Sequence, residues 1–283
     1  MRIRRVLYLV YESYNEFVAD DGWAISSHIA LSTLTSLFPF LIFVTALAAF
    51  LGTRDLADEA ATLIFDAWPA SVANPIAREV HNVLTAPRGG LLTVGAALAL
   101  YFSSGAIEAL RVGLNRAYDL EETRAWWLLR LESIAYVLIG ATALLALAFL
   151  VVLGPLIWAT ALRLAPGLAP LEAYVTLVRL ATASVLLAVS LIIAHAWLPI
   201  GRRRLTDIAP GVILTFISSI VFGEIFGAWI AQFARNYVST YAGLASVMIA
   251  LVFLYTIAAI FIFGGELNAA IMRWRAERKA RAR

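Results

Sequence analysis

Long apolar runs, separated by short polar and arginine-rich connections, make up most of the chain. An apolar run of about 20 residues is long enough for an α-helix to cross the hydrocarbon core of a bilayer. The runs predict six transmembrane helices, over residues 25–51, 91–114, 133–164, 173–200, 207–233 and 244–274. The predicted fold class is therefore an all-α integral membrane protein, with a single membrane domain over residues 1–283.

Residues 1–24 precede the first predicted span and have the periodicity of an amphipathic helix. The apolar positions that recur at helical spacing are Val6, Val10, Tyr14 and Phe17. This pattern predicts an interfacial helix that lies on the inner leaflet. Asp20 and Asp21 follow it, and we interpret them as carboxylates that cap the N-terminus of the first span.

The longest connection, residues 52–90, contains two amphipathic stretches separated by Pro69. Because proline ends a helix, this segment predicts a hairpin of two amphipathic helices on the external face. Residues 275–283 form a basic C-terminal tail. No connection is long enough to fold as a soluble catalytic domain.

The composition narrows the function classes. The chain is 62% hydrophobic and 14% charged, whereas a soluble domain carries about 25% charged residues. The net charge of +3 is too small to indicate binding of nucleic acid. The chain has no cysteine, which excludes disulfides, thiolate catalysis and cysteine-based metal sites.

The basic residues are distributed unevenly about the predicted spans. Six spans place both termini on the same side, which also carries the arginine turn 202–204 and the basic tail 275–283. Cytoplasmic connections are enriched in Lys and Arg. The distribution therefore predicts that both termini are cytoplasmic.

Ionisable groups inside a span are unfavourable and usually face the interior of a bundle or a wet cavity, so each one is a candidate for function. In the second span Ser104, Glu108, Arg111 and Asn115 follow one another at intervals of four, three and four residues. Such spacing places them on one face of a helix. Two interpretations remain open, a structural Glu108–Arg111 ion pair and the lining of a polar cavity.

The first span has a similar polar stripe. His28, Ser32 and Thr35 are spaced by four and three residues, and Pro39 follows one turn later. The stripe is consistent with a polar pathway, but hydroxyl groups also bind neighbouring helices in membranes. For His28 a structural role is the alternative.

The fifth span carries Glu224 near the predicted middle of the bilayer, where an unpaired charge is most unfavourable. Gly223 and Gly227 lie on either side of it and form a pair of small residues four apart, a spacing typical of a packing seam between helices. We interpret Glu224 as a candidate residue of a transport pathway that can carry a coupling proton.

The last span carries Glu266 and Asn268 next to the glycine pair 264–265. A buried carboxylate needs a cationic partner, and the candidates at comparable depth are Arg111 and Arg116. His195, late in the fourth span, is a further candidate partner for a carboxyl group. Glu266 is thus a second candidate for carrying a coupling proton.

Enzyme signatures are absent from the sequence. It contains no glycine-rich phosphate loop, no His-Glu-x-x-His metal helix and no nucleophile elbow. We therefore expect no catalytic residue, no metal site and no cofactor.

Several short motifs appear in order along the chain. They are Phe17, Asp21 and Gly22, then residues 30–32, 36–39, 114–118, 210–211, 241–244 and 265–269. In these motifs the chain resembles the YihY/BrkB family of bacterial inner-membrane proteins, some of which were once labelled ribonuclease BN. It departs from the family pattern at Ala242, where glycine is expected, and at His28 and Ser32, where alanine or tyrosine is commoner.

The resemblance implies a six-helix protein of the bacterial inner membrane. Proposals for the family include export of siderophore-like metabolites, movement of lipid or lipopolysaccharide precursors, and a role in virulence through serum resistance. The leading hypothesis is a transporter or exporter of an amphiphilic or anionic small molecule, with the bilayer and that substrate as partners, no nucleic acid, and a homo-oligomer as an open possibility. The candidate pathway residues are His28, Ser32, Glu108, Arg111, Asn115, Glu224, Glu266 and Asn268. The alternatives are a non-transporting envelope scaffold and, far less favoured, a membrane ribonuclease.

Overall fold

The computed structural model describes residues 2–50, 89–164, 167, 171–241 and 244–281. Within these residues the chain forms helices and turns and no strand, which confirms the predicted all-α fold class. The helices are α1 (Arg2–Ala19), α2 (Gly22–Phe50), α3 (Gly89–Ala117), α4 (Trp126–Leu164), α5 (Glu172–Trp197), α6 (Leu205–Tyr241) and α7 (Leu244–Arg281). All but the last two residues of the predicted external hairpin, 52–90, lie outside the described residues.

Five of these helices contain a stretch that is long and apolar enough to cross a membrane. They are α2, α3, α5, α6 and α7, and each coincides with a predicted span. The predicted span 133–164 lies within α4, many of whose side chains fall outside the described residues. The chain is therefore an all-α membrane protein, and the count of six spans stays a prediction.

The chain divides into two compact units. Unit 1 comprises Met1–Leu34, Ala106–Leu129 and Ala188–Arg283. Unit 2 comprises Thr35–Gly105 and Arg130–Leu187. The groups of the candidate functional site all belong to unit 1.

Unit 2 has an apolar core and one well-defined arginine contact. Its buried core residues are Phe43, Val44, Ala99 and Ala141. Arg130 donates from Nη1 to Ser104 Oγ at 2.7 Å, and its guanidinium carbon lies 4.2 Å from the centroid of the Tyr101 ring. Ser104 belongs to the polar stripe predicted on the second span, and its hydroxyl therefore binds an arginine of the neighbouring helix α4.

In unit 1, α1 packs antiparallel along α7. The Arg5 guanidinium lies over the Trp274 ring, and the Phe17 ring meets the Phe263 ring edge to face. Between these contacts, Arg273 lies within 3.9 Å of the Glu12 carboxylate and 3.8 Å of Glu16. The predicted amphipathic helix is therefore held against the last helix of the chain.

Helix α1 has a buried face and an exposed face. Leu9, Ser13 and Phe17 are buried, whereas Val10 and Tyr14 are exposed. Of the apolar positions predicted for an interfacial face, Phe17 therefore packs inside the protein, while Val10 and Tyr14 face outward. The location of α1 on the inner leaflet stays a prediction.

Helices α6 and α7 cross with their backbones in direct contact. A Cβ atom added to Gly211 would overlap the carbonyl oxygen of Gly264, and one added to Gly264 would overlap Thr215 Oγ1. Gly223 and Gly227, the pair on α6 that was predicted to form a packing seam, make no such close contact among the described atoms. A Cβ added at Gly223 or Gly227 meets nothing within 4 Å among the described atoms, so no helix in this part of the chain packs against these two glycines.

Pro210 lies in the second turn of α6. Because proline lacks an N–H group, the carbonyl of Thr206 four residues earlier loses its usual helical donor. Arg275 of α7 supplies a replacement, since its Nη1 donates to the Thr206 carbonyl oxygen at 3.2 Å and to Asp207 Oδ1 at 2.8 Å. The start of α6 is thus fixed to α7 beside the glycine contact.

Candidate functional site

The end of α3 positions the first group of the site. Asp119 adopts a left-handed backbone conformation, with a φ of 52°. Its N–H donates to the Arg116 carbonyl, and the next N–H, of Leu120, donates to the Asn115 carbonyl. This pair of bonds is the Schellman termination of a helix. It stops α3 abruptly and leaves Tyr118, the preceding residue, buried within unit 1.

A chain of hydrogen bonds links Tyr118 to three other elements. The Asn268 side chain of α7 accepts from the Gly211 N–H through Oδ1 at 2.7 Å and donates from Nδ2 to Tyr118 Oη at 3.1 Å. Tyr118 Oη also lies 3.4 Å from His195 Nδ1 of α5. Burial raises the pKa of Tyr118 to about 12, so the phenol keeps its proton and can act as a donor.

His195 is buried at the end of α5 and has hydrogen-bonding capacity left over. Its ring packs 4.7 Å from the Phe261 ring. Its Nε2 atom is buried without a hydrogen-bond partner among the described residues. The structure therefore pairs His195 with Tyr118, and the predicted carboxyl partner is wrong.

A second set of bonds surrounds Asn115. Its Oδ1 accepts from the Ile200 N–H at 2.9 Å, and its Nδ2 donates to Glu122 Oε2 at 3.0 Å. Arg124 donates to the same Glu122 carboxylate from Nε and Nη2. Its Nη2 atom also donates to the Leu198 carbonyl at 3.3 Å. Hydrogen bonds from Arg124 lower the pKa of Glu122 to about 2. These bonds join the connection after α3 to the connection after α5.

Arg203 lies in the connection between α5 and α6. Its guanidinium carbon is 3.9 Å from the centroid of the Tyr118 ring. Nη2 donates to the Ile200 carbonyl at 3.5 Å, but Nε and Nη1 are buried without a hydrogen-bond partner in the described part of the chain. Burial lowers the pKa of Arg203 from its ordinary value, against a smaller opposing effect of Tyr118.

Glu266 of α7 is the most deeply buried carboxyl group of the site, with 1% of its surface exposed. Neither of its carboxyl oxygens has a hydrogen-bond partner among the described residues. The predicted partners are engaged elsewhere, since Arg116 Nε lies 3.2 Å from Asp20 Oδ1 and Arg111 Nη2 donates to the Leu129 carbonyl at 2.9 Å. The predicted pairing of Glu266 with either arginine is therefore wrong.

The remaining predicted pathway residues are not gathered at this site. His28 of α2 and Glu224 of α6 are both exposed on the surface of their helices. Glu224 was predicted from depth along the helix, but which side of α6 faces the protein is fixed by Gly211 and its contact with α7. Ser32 and Glu108 are half-buried, and the predicted Glu108–Arg111 pair stays a prediction.

Sequence reasoning missed Tyr118 and the role of Arg203. Tyr118 lay just beyond a predicted span and Arg203 within a basic turn, so both were interpreted as features of connections. A usable signal was present, because residues 114–118 and 210–211 are among the motifs that carried the family resemblance. The structure shows that these motifs meet at Asn268.

Comparison with known proteins agrees with that resemblance. The family model described as Virulence factor BrkB matches residues 13–283. The chain is 28% identical over 260 residues to the ribonuclease-like protein YfkH of Bacillus subtilis, covering 92% of this chain and 94% of that protein. It is 27% identical over 276 residues to a UPF0761 membrane protein of Rhodospirillum centenum, covering 95% of this chain and 58% of that protein. No solved structure matches.

Proposed function

The chain belongs to the Virulence factor BrkB family, and we propose that it is a transporter of the bacterial inner membrane. Its substrate is an anionic or amphiphilic small molecule, such as a siderophore-like metabolite or a lipid precursor. The observation that carries this proposal is the state of Arg203, whose buried guanidinium keeps two nitrogen atoms without a partner among the described residues.

A guanidinium group presents N–H donors in a planar fork that matches the oxygens of a carboxylate or a phosphate. The ring of Tyr118 packs against one face of the Arg203 guanidinium, and the Nη2 atom of Arg203 donates to the Ile200 carbonyl. The two remaining nitrogens are thus positioned in advance to bind acceptor atoms of an anion. A partly desolvated cation binds an anion more strongly than one in bulk water.

The other buried groups support transport over a scaffold role. In Asn115 and in Asn268, the side-chain oxygen and the side-chain nitrogen both form hydrogen bonds, as expected of residues that only stabilise the fold. Arg203, His195 and Glu266 instead retain buried polar atoms without partners in the described part of the chain. Such atoms are unfavourable unless a ligand, water or a proton satisfies them. Their concentration in unit 1 favours a binding function over a scaffold.

We expect Arg203→Gln to lower the transport of an anionic amphiphile about tenfold, because a charge-assisted hydrogen bond contributes about 1.5–3 kcal/mol. The probe is a fluorescently labelled short-chain phosphatidylglycerol in liposomes that contain the purified protein. A quencher that cannot cross the bilayer reports the movement of the probe between leaflets.

The matched control is Arg202→Gln, which removes an exposed arginine from the same connection and should leave the rate unchanged. The unfolding temperature of each variant checks that the fold survives. Equal rates for the two variants would remove Arg203 from the mechanism. An absence of transport by the wild-type protein, for this probe and for a soluble carboxylate probe, would favour the scaffold.

A ribonuclease is the remaining alternative, since the matched YfkH protein bears a ribonuclease-like name. We propose that this chain is not an enzyme. The same purified samples, incubated with RNA and divalent metal, provide the comparison. RNA cleavage that follows the folded protein through purification would contradict the transport proposal.

We propose further that both termini are cytoplasmic, because arginine is concentrated on the side of the predicted spans that carries them. The native chain has no cysteine, so single cysteines can be introduced at Ala280, in α7, and at Ala60, which lies outside the described residues. An impermeant thiol reagent applied to intact cells should label the cysteine at position 60. Labelling confined to position 280 would reverse the orientation.

A further inference from the structure

Among the described residues, no hydrogen-bond donor reaches the carboxyl group of Glu266. It is 1% exposed, and both carboxyl oxygens are buried without a hydrogen-bond donor among the described residues. Its helix neighbour Gly265 packs against α3, where an added Cβ would come within 3.2 Å of Leu114 and Ala117. The described residues therefore offer an ionised carboxylate no hydrogen-bond donor, and a buried ion in that state is highly unfavourable.

Charged groups from three elements surround Glu266 at longer range. They are Glu16 of α1 with Asp20 in the turn that follows it, Arg116 of α3 and Arg273 of α7. Tyr118, at the end of α3, also lies within its electrostatic reach. Both arginines already have carboxylate partners, since Arg116 pairs with Asp20 and Arg273 lies near Glu12 and Glu16.

We infer that Glu266 is a proton-binding site, and that release of its proton is coupled to breaking of the ion pair between Arg116 and Asp20. With a proton bound, Glu266 is neutral and Asp20 retains Arg116, as the structure shows. When the proton leaves, the new carboxylate competes with Asp20 for Arg116 and with Glu16 for Arg273. No other group changes its covalent state, so the step transfers one proton between Glu266 and solvent.

The geometry allows this exchange. The Arg116 side chain is 57% exposed, so packing does not hold its guanidinium in place. The Arg273 side chain is 38% exposed, and its Nη2 atom is buried without a hydrogen-bond partner among the described residues. The Arg273 contacts, at 3.8 and 3.9 Å, are longer than hydrogen bonds. Burial also raises the pKa of Asp20 above its ordinary value, and the Arg116 guanidinium partly offsets this rise.

This inference deepens the proposed function, and its consequence for transport rests on that function. Glu266 lies two residues before Asn268 on α7, and Asn268 donates to the hydroxyl of Tyr118, whose ring lies against Arg203. A proton at Glu266 is therefore coupled to the surroundings of the proposed anion fork. We assign the proton as the coupling ion for movement of the anionic substrate.

Infrared difference spectroscopy on the purified full-length protein tests the proton site without any transport assay. At neutral pH the wild type should show the carbonyl-stretching band of a protonated carboxyl group, and Glu266→Gln should lose it. The matched control is Glu224→Gln, which alters an exposed carboxyl group and should keep the band. In Asp20→Asn the band should weaken at the same pH, because the released Arg116 can then pair with ionised Glu266.

An unchanged band in Glu266→Gln would overturn the inference. Loss of the wild-type band when potassium is replaced by sodium at constant pH would overturn it too, because Glu266 would then bind a metal cation. Transport of labelled phosphatidylglycerol supplies the second readout, in which a pH gradient should accelerate the wild type and not Glu266→Gln. An assigned band without any wild-type transport would refute the proposed function and leave the proton site intact, whereas gradient-driven transport by Glu266→Gln would refute the coupling alone.

Discussion

Gly211→Ala should prevent α6 and α7 from packing as they do in the native protein. The added Cβ would overlap the Gly264 carbonyl oxygen and lie 2.5 Å from Asn268 Nδ2. A flexible side chain can move away from such a contact, but a helix backbone cannot do so without shifting the whole helix. Overpacking typically destabilises by about 1–3 kcal/mol, and a clash with backbone belongs at or above the upper end of that range.

The measurement is the thermal unfolding temperature of the purified protein in detergent, together with the yield of monodisperse protein. Gly223→Ala is the matched control, because it makes the same change in the same helix at a position with nothing within 4 Å among the described atoms. Alanine is a better helix former than glycine by about 1 kcal/mol, so this control should be neutral or slightly stabilising. Equal unfolding temperatures for the two variants would show that α6 and α7 do not meet at Gly211.

Asn268→Leu should produce the second large loss of stability. Leucine has the same branching and the same number of side-chain heavy atoms, but it can neither accept from the Gly211 N–H nor donate to Tyr118 Oη. Buried polar groups that lose a partner are destabilised by about 1–3 kcal/mol each. We expect a total loss of a few kcal/mol, visible as a lower unfolding temperature with the helical content unchanged below the transition.

Tyr118→Phe provides the test of whether these bonds form one network. It removes the hydroxyl that joins Asn268 to His195 and keeps the ring on which Arg203 lies. Contacting residues in one hydrogen-bond network show interaction energies of about 0.5–3 kcal/mol in double-mutant cycles. The double variant should therefore lose less stability than the sum of the two single variants. Strict additivity would mean that Asn268 and Tyr118 act independently.

The sequence predicted some members of the candidate site and not its arrangement. Asn115, Glu266 and Asn268 stood out because polar groups are rare inside apolar runs, and all three are buried in unit 1. Glu224 stood out for the same reason and is exposed on α6. Depth along a helix can be read from sequence position, but the direction in which a side chain points depends on which neighbour the helix meets.

Partners were harder to predict than positions. Glu266 was expected to meet Arg111 or Arg116, yet Arg111 binds the Leu129 carbonyl and Arg116 binds Asp20. Both contacts involve residues outside the predicted spans, near the start of α4 and in the turn before α2. Connections between helices therefore supplied partners that a search within the spans could not find.

The sequence by itself determined that most of the chain lies in a lipid bilayer, and it determined the extent of the helices. Apolar runs of membrane length must form helices because every backbone N–H and C=O group needs a partner inside a bilayer. For that reason the predicted spans agree with α2, α3, α5, α6 and α7. The tertiary structure alone decided how those helices face one another, because that choice depends on contacts such as Gly211 against Gly264 and Asn268 against Tyr118. These contacts join residues far apart in the chain, and no local pattern of apolar and polar positions encodes them.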